Sequence, residues 1–320
     1  TGNGSTQTIS GLNFSPDLVW LKRRSSAQAH YLYDVIRGTS SVLFSDGTDA
    51  EQSISTGLTA FNSDGFSLGS LSGVNASSTT YAAWTWDAGS STVTNTQGSI
   101  TSQVRANASA GFSVVKYTNV ASTNSTIGHG LGVAPKLLIV RYINQVSGWF
   151  VYHADAGAGK YLDLQSTGSA VTLSSLWNNT APTSTVFSVG TAWTGSFDTI
   201  AYCFAPVAGY SSAFTWSGTG STDGPAIYLG FRPKLIIWKR TDSAANWAIL
   251  DSSRSSYNVA DDWLGPNSSS AESADNAAYA MDFLSNGLKI RATHEATNQS
   301  GGTYIGFAFA ESPFKNSRAR

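Results

Sequence analysis

One pattern of apolar and polar positions returns three times along the chain. It reads Leu12-Asn13-Phe14-Ser15-Pro16-Asp17-Leu18-Val19-Trp20-Leu21-Lys22, then Leu131-Gly132-Val133-Ala134-Pro135-Lys136-Leu137-Leu138-Ile139-Val140-Arg141, then Leu229-Gly230-Phe231-Arg232-Pro233-Lys234-Leu235-Ile236-Ile237-Trp238-Lys239. Each copy has a proline, one polar residue, four apolar residues and a cation. Four consecutive apolar residues of strand-forming type predict a strand buried on both faces or at a sheet centre. The proline fits a strand entrance, where no ladder N–H is lost. Eighteen residues past each proline stand Asp34, His153 and Asp251, each closing an aromatic-rich run. A second apolar block then returns as Tyr81–Trp86, Ile200–Phe204 and Tyr304–Phe309. Self-similarity at a fixed period is the mark of a repeat architecture.

Between these blocks, Asp64-Gly65 and Asn286-Gly287 stand between apolar runs and predict tight type I′ hairpin turns. The middle copy keeps Val186-Phe187-Ser188-Val189-Gly190 without that dipeptide. Alternation in Ser113-Val114-Val115-Lys116-Tyr117-Thr118 predicts a strand with one wet face. The best helix candidate, Ala271–Ala278, is short enough to be a single turn. The expected fold is therefore all-β: three tandem β-sandwich repeats, jelly-roll or lectin-like, of roughly 100 to 110 residues. Their expected extents are 1–105, 106–209 and 210–320, with Ser- and Asn-rich junctions near 89–110 and 209–213. The second and third copies are led by Phe112–Thr118 and Ala213–Trp216, while the first lacks such a leading strand. The sequence also carries no initiator Met, so the expectation is the C-terminal part of a longer polypeptide. The edge left by the missing strand is a pairing hazard that something must cover.

Composition narrows the function. Charged residues are 12% and aromatics 12% of the 320 residues, and the net charge is −1. Polarity comes from Ser, Thr, Asn and Gly, which with ten Trp argues against disorder. No basic field draws the chain to nucleic acid, and the one basic cluster, Lys315, Arg318 and Arg320, reads as a solvated tail. No apolar run approaches the ~20 residues that span a bilayer. Cys203 is the only cysteine and sits in an apolar run, so it reads as a buried, inert thiol.

Chemistry is sparse. His30, His129, His153 and His294 have no metal-ligand spacing. Asp46, Asp49 and Glu51, and the pair Asp261 and Asp262, match no calcium loop and are explained as turn residues. No carboxylate pair recurs in all three copies, and no serine elbow occurs. The reading is a non-enzyme with no metal and no cofactor. Trp177, Trp193 and Trp263 lie among Asn, Gly, Ser and Asp in expected loops, and are the candidate ligand-binding residues, as rings able to stack on a sugar or anchor an interface; the plainer reading is that they cap the end of a sandwich.

Several blocks carry a resemblance: Gly2-Asn3-Gly4-Ser5, Pro16–Lys22, Phe61-Asn62-Ser63-Asp64-Gly65-Phe66, Gly128–Lys136 and Gly306–Lys315. They resemble a poorly characterised repeat domain of structural proteins in marine bacteriophages, including those infecting cyanobacteria. Such proteins tend to be tail fibres or other virion appendages. The resemblance implies a virion component near the host surface, and carries over no catalytic residue. It implies as partners other virion proteins, a homo-oligomer with a trimer favoured, and host surface glycan. The alternative is a purely structural shaft, capsid decoration or connector with no ligand.

Overall fold

The computed structural model describes residues 1–311, and those residues form an all-β protein. Lys315, Arg318 and Arg320, and the end of the last resembling block, lie outside the described residues. Among the described residues helix is confined to Ser72–Asn75, Glu295–Asn298 and the 3-10 turn Ala277–Tyr279, which is all that forms near the expected Ala271–Ala278 helix.

Three large antiparallel sheets are built around the strands that the repeated pattern marks. The first runs Gln52–Ser53, Ser41–Phe44, His30–Asp34, Leu18–Arg23, Tyr81–Trp86 in spatial order. The second has eight strands, with Leu137–Tyr142 between Phe150–His153 and Asp198–Phe204, and Phe112–Thr118 beyond the latter. Strands Thr92–Asn95 and Ser102–Asn107, from the stretch read as a junction, extend this sheet at its far edge. The third runs Ser211–Ser217, Thr303–Ala310, Pro233–Arg240, Ala248–Asp251. Three smaller sheets accompany them: Gln7–Ser10 with Gly65–Leu68 and Leu58–Asn62, Ser125–Gly128 with Val186–Val189, and Ala226–Tyr228 with Gly287–Ile290 and Met281–Leu284.

The four-residue apolar runs are buried on both faces, and the two faces have different neighbours. Successive side chains of a strand point to opposite sides. Val19 and Leu21 pack with Leu58, Phe66 and Leu68 of the adjacent small sheet. Leu138 and Val140 pack likewise with Ile127, Phe187 and Val189. Ile236 and Trp238 pack with Ile227, Leu288 and Ile290. The alternate residues turn the other way. Leu18 and Trp20, Leu137 and Ile139, and Leu235 and Ile237 meet in one common core with Trp84, Trp86, Tyr202, Phe204, Phe307 and Phe309. One strand thus serves two cores, which an exposed face would not tolerate. At the centre of the common core lies an apolar cavity of about 30 Å³ bordered by Trp20, Trp84, Trp86, Phe204, Ile237 and Phe309.

The expected turn chemistry is corrected. Asn62 pairs with Gly65, and Leu284 with Gly287, so the two-residue loops are Ser63-Asp64 and Ser285-Asn286. Neither Asp64 nor Asn286 has positive φ. Close approach demands both glycines, and Gly65 also has a positive φ of 151°. A Cβ on Gly65 meets the carbonyl oxygen of Ile9 at 1.9 Å, and one on Gly287 meets that of Ile227 at 1.9 Å.

Candidate functional site

The cation that ends each repeated run is Lys22, Arg141 or Lys239, and all three are fully buried. Among the described residues none has a carboxylate at ion-pair distance; each is caged by backbone carbonyls. Lys22 Nζ donates to Arg23 O (3.0 Å), Gln28 O (2.8 Å) and Ser269 O (3.2 Å). Arg141 donates to Tyr142 O (3.0 Å), Gly47 O (3.3 Å), Thr48 O (3.0 Å) and Asp49 O (2.6 Å). Lys239 Nζ donates to Arg240 O (2.9 Å) and Thr167 O (3.1 Å). Burial pushes Lys22 and Lys239 down to about 8 and Arg141 down to about 10, so each is still protonated at pH 7.

Each cation reaches out of its own sequence block into a loop of another. Lys22 reaches the loop at 269, Arg141 the loop at 47–49, and Lys239 the loop at 167. The same three junctions carry matching backbone bonds. Gln28 N donates to Ser269 O (2.7 Å), Ser147 N to Thr48 O (2.9 Å) and Ala245 N to Thr167 O (2.9 Å). In return, Glu272 N donates to Arg24 O (2.8 Å), Glu51 N to Ile143 O (2.7 Å) and Ala170 N to Thr241 O (2.8 Å). The first block's cation binds the third, the third's binds the second and the second's binds the first, so the ring closes on itself.

A second set of bonds lies deeper. The Tyr202 hydroxyl donates to Asp34 at 2.8 Å, and Trp84 Nε1 donates to Asp251 at 3.0 Å. Each aspartate is held by an arginine three residues on, Arg37 and Arg254, which pair in turn with Glu51 (3.0 Å) and Glu272 (2.9 Å). At the third junction the residue facing the carboxylate position is Phe307, which has no donor. There His153 replaces the aspartate: Nδ1 accepts from Asp155 N (3.2 Å), so Nε2 carries the proton and donates to Gly306 O (3.1 Å). The exchange of Asp for His accompanies the loss of that donor and of the arginine three residues on, where Ala156 stands. Trp149 Nε1 donates to Phe44 O (2.7 Å) and Trp247 Nε1 to Asp163 O (2.9 Å) across the same boundaries. His30 takes that position in the first block, fully enclosed, and burial holds its ring well below the usual histidine range.

One family covers all of this. The chain belongs to the family described as a domain of unknown function, DUF7483, which matches residues 1–313. A single DUF7483 match spans all three sequence blocks, so the junctions lie inside one family domain. Neither the curated proteins nor the solved structures contain a match.

The candidate ligand residues stand elsewhere, and the structure corrects their expected exposure. Trp177 and Trp193 are 1% exposed and Trp263 is 8% exposed. Trp193 packs edge-on against Tyr142 and Phe150, each at 5.1 Å, and its Nε1 donates to Leu176 O (3.1 Å). Trp177 packs against Tyr152 and Trp193. Trp263 stacks on Tyr279 at 4.9 Å and donates to Trp247 O (3.2 Å). Their rings fill the ends of the cores beneath polar loops, and no face is left for a sugar. The polar neighbours in sequence are surface residues around a buried indole. The first acidic cluster belongs to a junction: Asp46 accepts from His30 N (2.9 Å), Asp49 O receives Arg141, and Glu51 holds Arg37. Carboxylate oxygens of Asp261, Asp262 and Asp275 gather within 4.8 Å, and burial together with the two neighbouring carboxylates pushes the Asp261 acid up.

The cations at 22, 141 and 239 and the Asp/His position were visible in the sequence, but not what they grip. Trp84 and Tyr202 were missed altogether, because their partners lie in another block.

Proposed function

We propose that this chain is a non-enzymatic structural module of a bacteriophage virion appendage, made of three tandem β-sandwich units closed into a ring. The units follow the expected blocks, except that Thr92–Asn95 and Ser102–Asn107 pair into the sheet of the second unit. The observation that carries the reading is the set of three equivalent junctions, each a buried cation on foreign carbonyls beside a reciprocal backbone pair. Each of these cations lies out of solvent against backbone carbonyls. They make three units behave as one rigid body, which suits a part that bears load or spaces other parts. The resemblance of Pro16–Lys22 and Gly128–Lys136 to a phage structural repeat supplies the setting, an extracellular particle. In this reading the threefold contact expected between chains of a trimer is made within one chain.

Attachment to host glycan remains the second reading, and one observation favours it. The rings of Tyr228 and Tyr257 are 78% and 84% exposed in the third unit, as the tryptophans are not. Gold-labelled antibody against the chain, applied to intact particles, tests the structural reading. Label along or at the base of an appendage supports it, and particles without the chain overturn it. Retention on host envelope glycan, lost in a Tyr228→Ala, Tyr257→Ala double variant, supports the second reading.

A further inference from the structure

The three junctions differ in what crosses them. Between the first and second units the Tyr202 hydroxyl reaches Asp34, and Arg37 donates both to Asp34 and to that hydroxyl. Between the third and first, Trp84 Nε1 reaches Asp251, and Arg24 forks onto Glu272 at 2.6 to 3.0 Å. Among the described residues no ion pair joins the second unit to the third. What crosses there is the reciprocal backbone pair, Lys239 on Thr167 O, Trp247 on Asp163 O and His153 on Gly306 O. The same boundary is imperfectly packed. An apolar cavity of about 10 Å³ lies on it, bordered by His153, Leu164, Ile237, Trp247, Ile305 and Phe307. Atoms facing a void lose dispersion partners, so the contact starts weaker.

Of the side chains that bond across this boundary, only His153 gains charge in acid; Lys239 is already protonated and Trp247 is neutral. The His153 ring is buried and both its nitrogens are engaged: Nδ1 accepts from Asp155 N at 3.2 Å and Nε2 donates to Gly306 O at 3.1 Å. A second proton must go on Nδ1, where it faces that N–H. The surroundings offer little to the charge. The Asp155 carboxylate stands 3.6 Å from Nδ1 but is 39% exposed, and water screens it. Lys136, beside the Leu137 that pairs with His153, opposes the charge. The third unit presents Ile305, Gly306 and Phe307, and among the described residues brings no carboxylate to ion-pair distance. Burial therefore holds the ring below the usual histidine range.

We infer that the junction of the second and third units is an acid-sensitive seam, which parts when His153 gains a second proton while the other two junctions stay closed. In the parted state the ring meets water and takes its proton at the ordinary 6.5, whereas the enclosed ring takes it only at lower pH. The contact is therefore whole above that value and weakens as pH falls below it. Residues 205–210 keep the two units joined, so parting swings them open and uncovers Ile139, Ile237 and Phe307 of the common core. His30 is also enclosed, at the junction of the third and first units, but the Arg24–Glu272 fork and the Trp84–Asp251 bond hold that contact without it. The inference rests on the ring proposed above.

Six main-chain amides report on the junctions: Ala170 and Ala245 on this one, Gln28 and Glu272 on the third with the first, Glu51 and Ser147 on the first with the second. Hydrogen exchange of the 320-residue chain, followed by NMR and corrected for intrinsic chemistry, reads them at pH 7.5 and 5.5 while the His153 ring signals are titrated. Ala170 and Ala245 are expected to lose about tenfold in protection, the change in proton binding of an open ring between those values, and the other four less than about twofold. In His153→Gln, whose amide still donates to Gly306 O and does not titrate, the loss disappears. Six amides unprotected at pH 7.5 refute the ring itself. With the ring intact, the seam is overturned by a loss shared equally among all six, by a loss at Gln28 and Glu272 instead, or by an undiminished loss in folded His153→Gln. A His153 ring that titrates at or above 6.5 in the folded parent overturns it even where the variant does not fold.

Discussion

Replacing Arg141 by Met removes the guanidinium while keeping most of its buried stem. Arg141 makes four bonds to carbonyl oxygens, three of them on the loop at 47–49, and it also lies over the Trp149 ring at 4.9 Å. Exchanging both members of a buried polar contact for apolar groups is often harmless, but backbone carbonyls cannot be exchanged. The variant therefore leaves Gly47 O, Thr48 O and Asp49 O facing a thioether. Each buried acceptor left unpaired costs about 1 to 3 kcal/mol, so the loss comes to about 3 to 5 kcal/mol. Relief of the guanidinium's burial, visible in its depressed pKa, keeps the figure from reaching the full sum of four bonds. With roughly 2 cal/mol/K of unfolding entropy per residue, a chain of 320 residues loses about 5 to 8 °C in its midpoint. Urea unfolding followed by tryptophan emission gives the free energy, and calorimetry the midpoint. Arg141→Lys, which copies the other two junctions, falls about half-way, because one ammonium replaces a fork of donors. An Arg141→Met protein within about 1 kcal/mol of the parent refutes the reasoning that these cations hold the blocks together.

Tyr202→Phe deletes only the hydroxyl donating to Asp34, and is expected to cost about 1 to 2 kcal/mol in urea unfolding. Acid weakens the fold between pH 7 and 6: burial lowers the His30, His129 and His153 rings, so the unfolded chain binds more protons as pH falls through the ordinary 6.5. Below pH 6 the loss slows, because the Asp17 carboxyl, pushed up to about 6 by burial, binds its proton in the folded state first; urea midpoints at pH 7.5, 6.5 and 5.5 check both signs. Trp193→Ala costs about 3 to 5 kcal/mol in the same urea assay, without changing glycan retention by any folded protein. The Cys203 thiol, fully enclosed and pushed up to about 12 by burial, reacts with thiol reagents only at the rate of unfolding, as timed labelling with and without urea shows.

Much was legible before any coordinates. Low charge, aromatic content and period-two patterning mean strands, and three aligned blocks mean three sheets centred on the same run. The apolar run from Leu137 to Val140 already said that its strand has no wet face, and Cys203 that its thiol is enclosed. These are local properties, decided by which side chains can alternate across a pleat. What lies beyond each face is not local. Only the tertiary structure divides Leu137 and Ile139 from Leu138 and Val140 between two cores. Only it turns the cation of each run into a bond to a loop 72 to 247 residues distant in sequence. Trp177, Trp193 and Trp263 show the opposite error: polar neighbours in sequence suggested loop tips, yet burial is decided by what the surrounding strands leave uncovered. The exchange of Asp34 and Asp251 for His153 goes with the loss of two partners: Phe307 offers no donor where Tyr202 and Trp84 do, and Ala156 stands where Arg37 and Arg254 do.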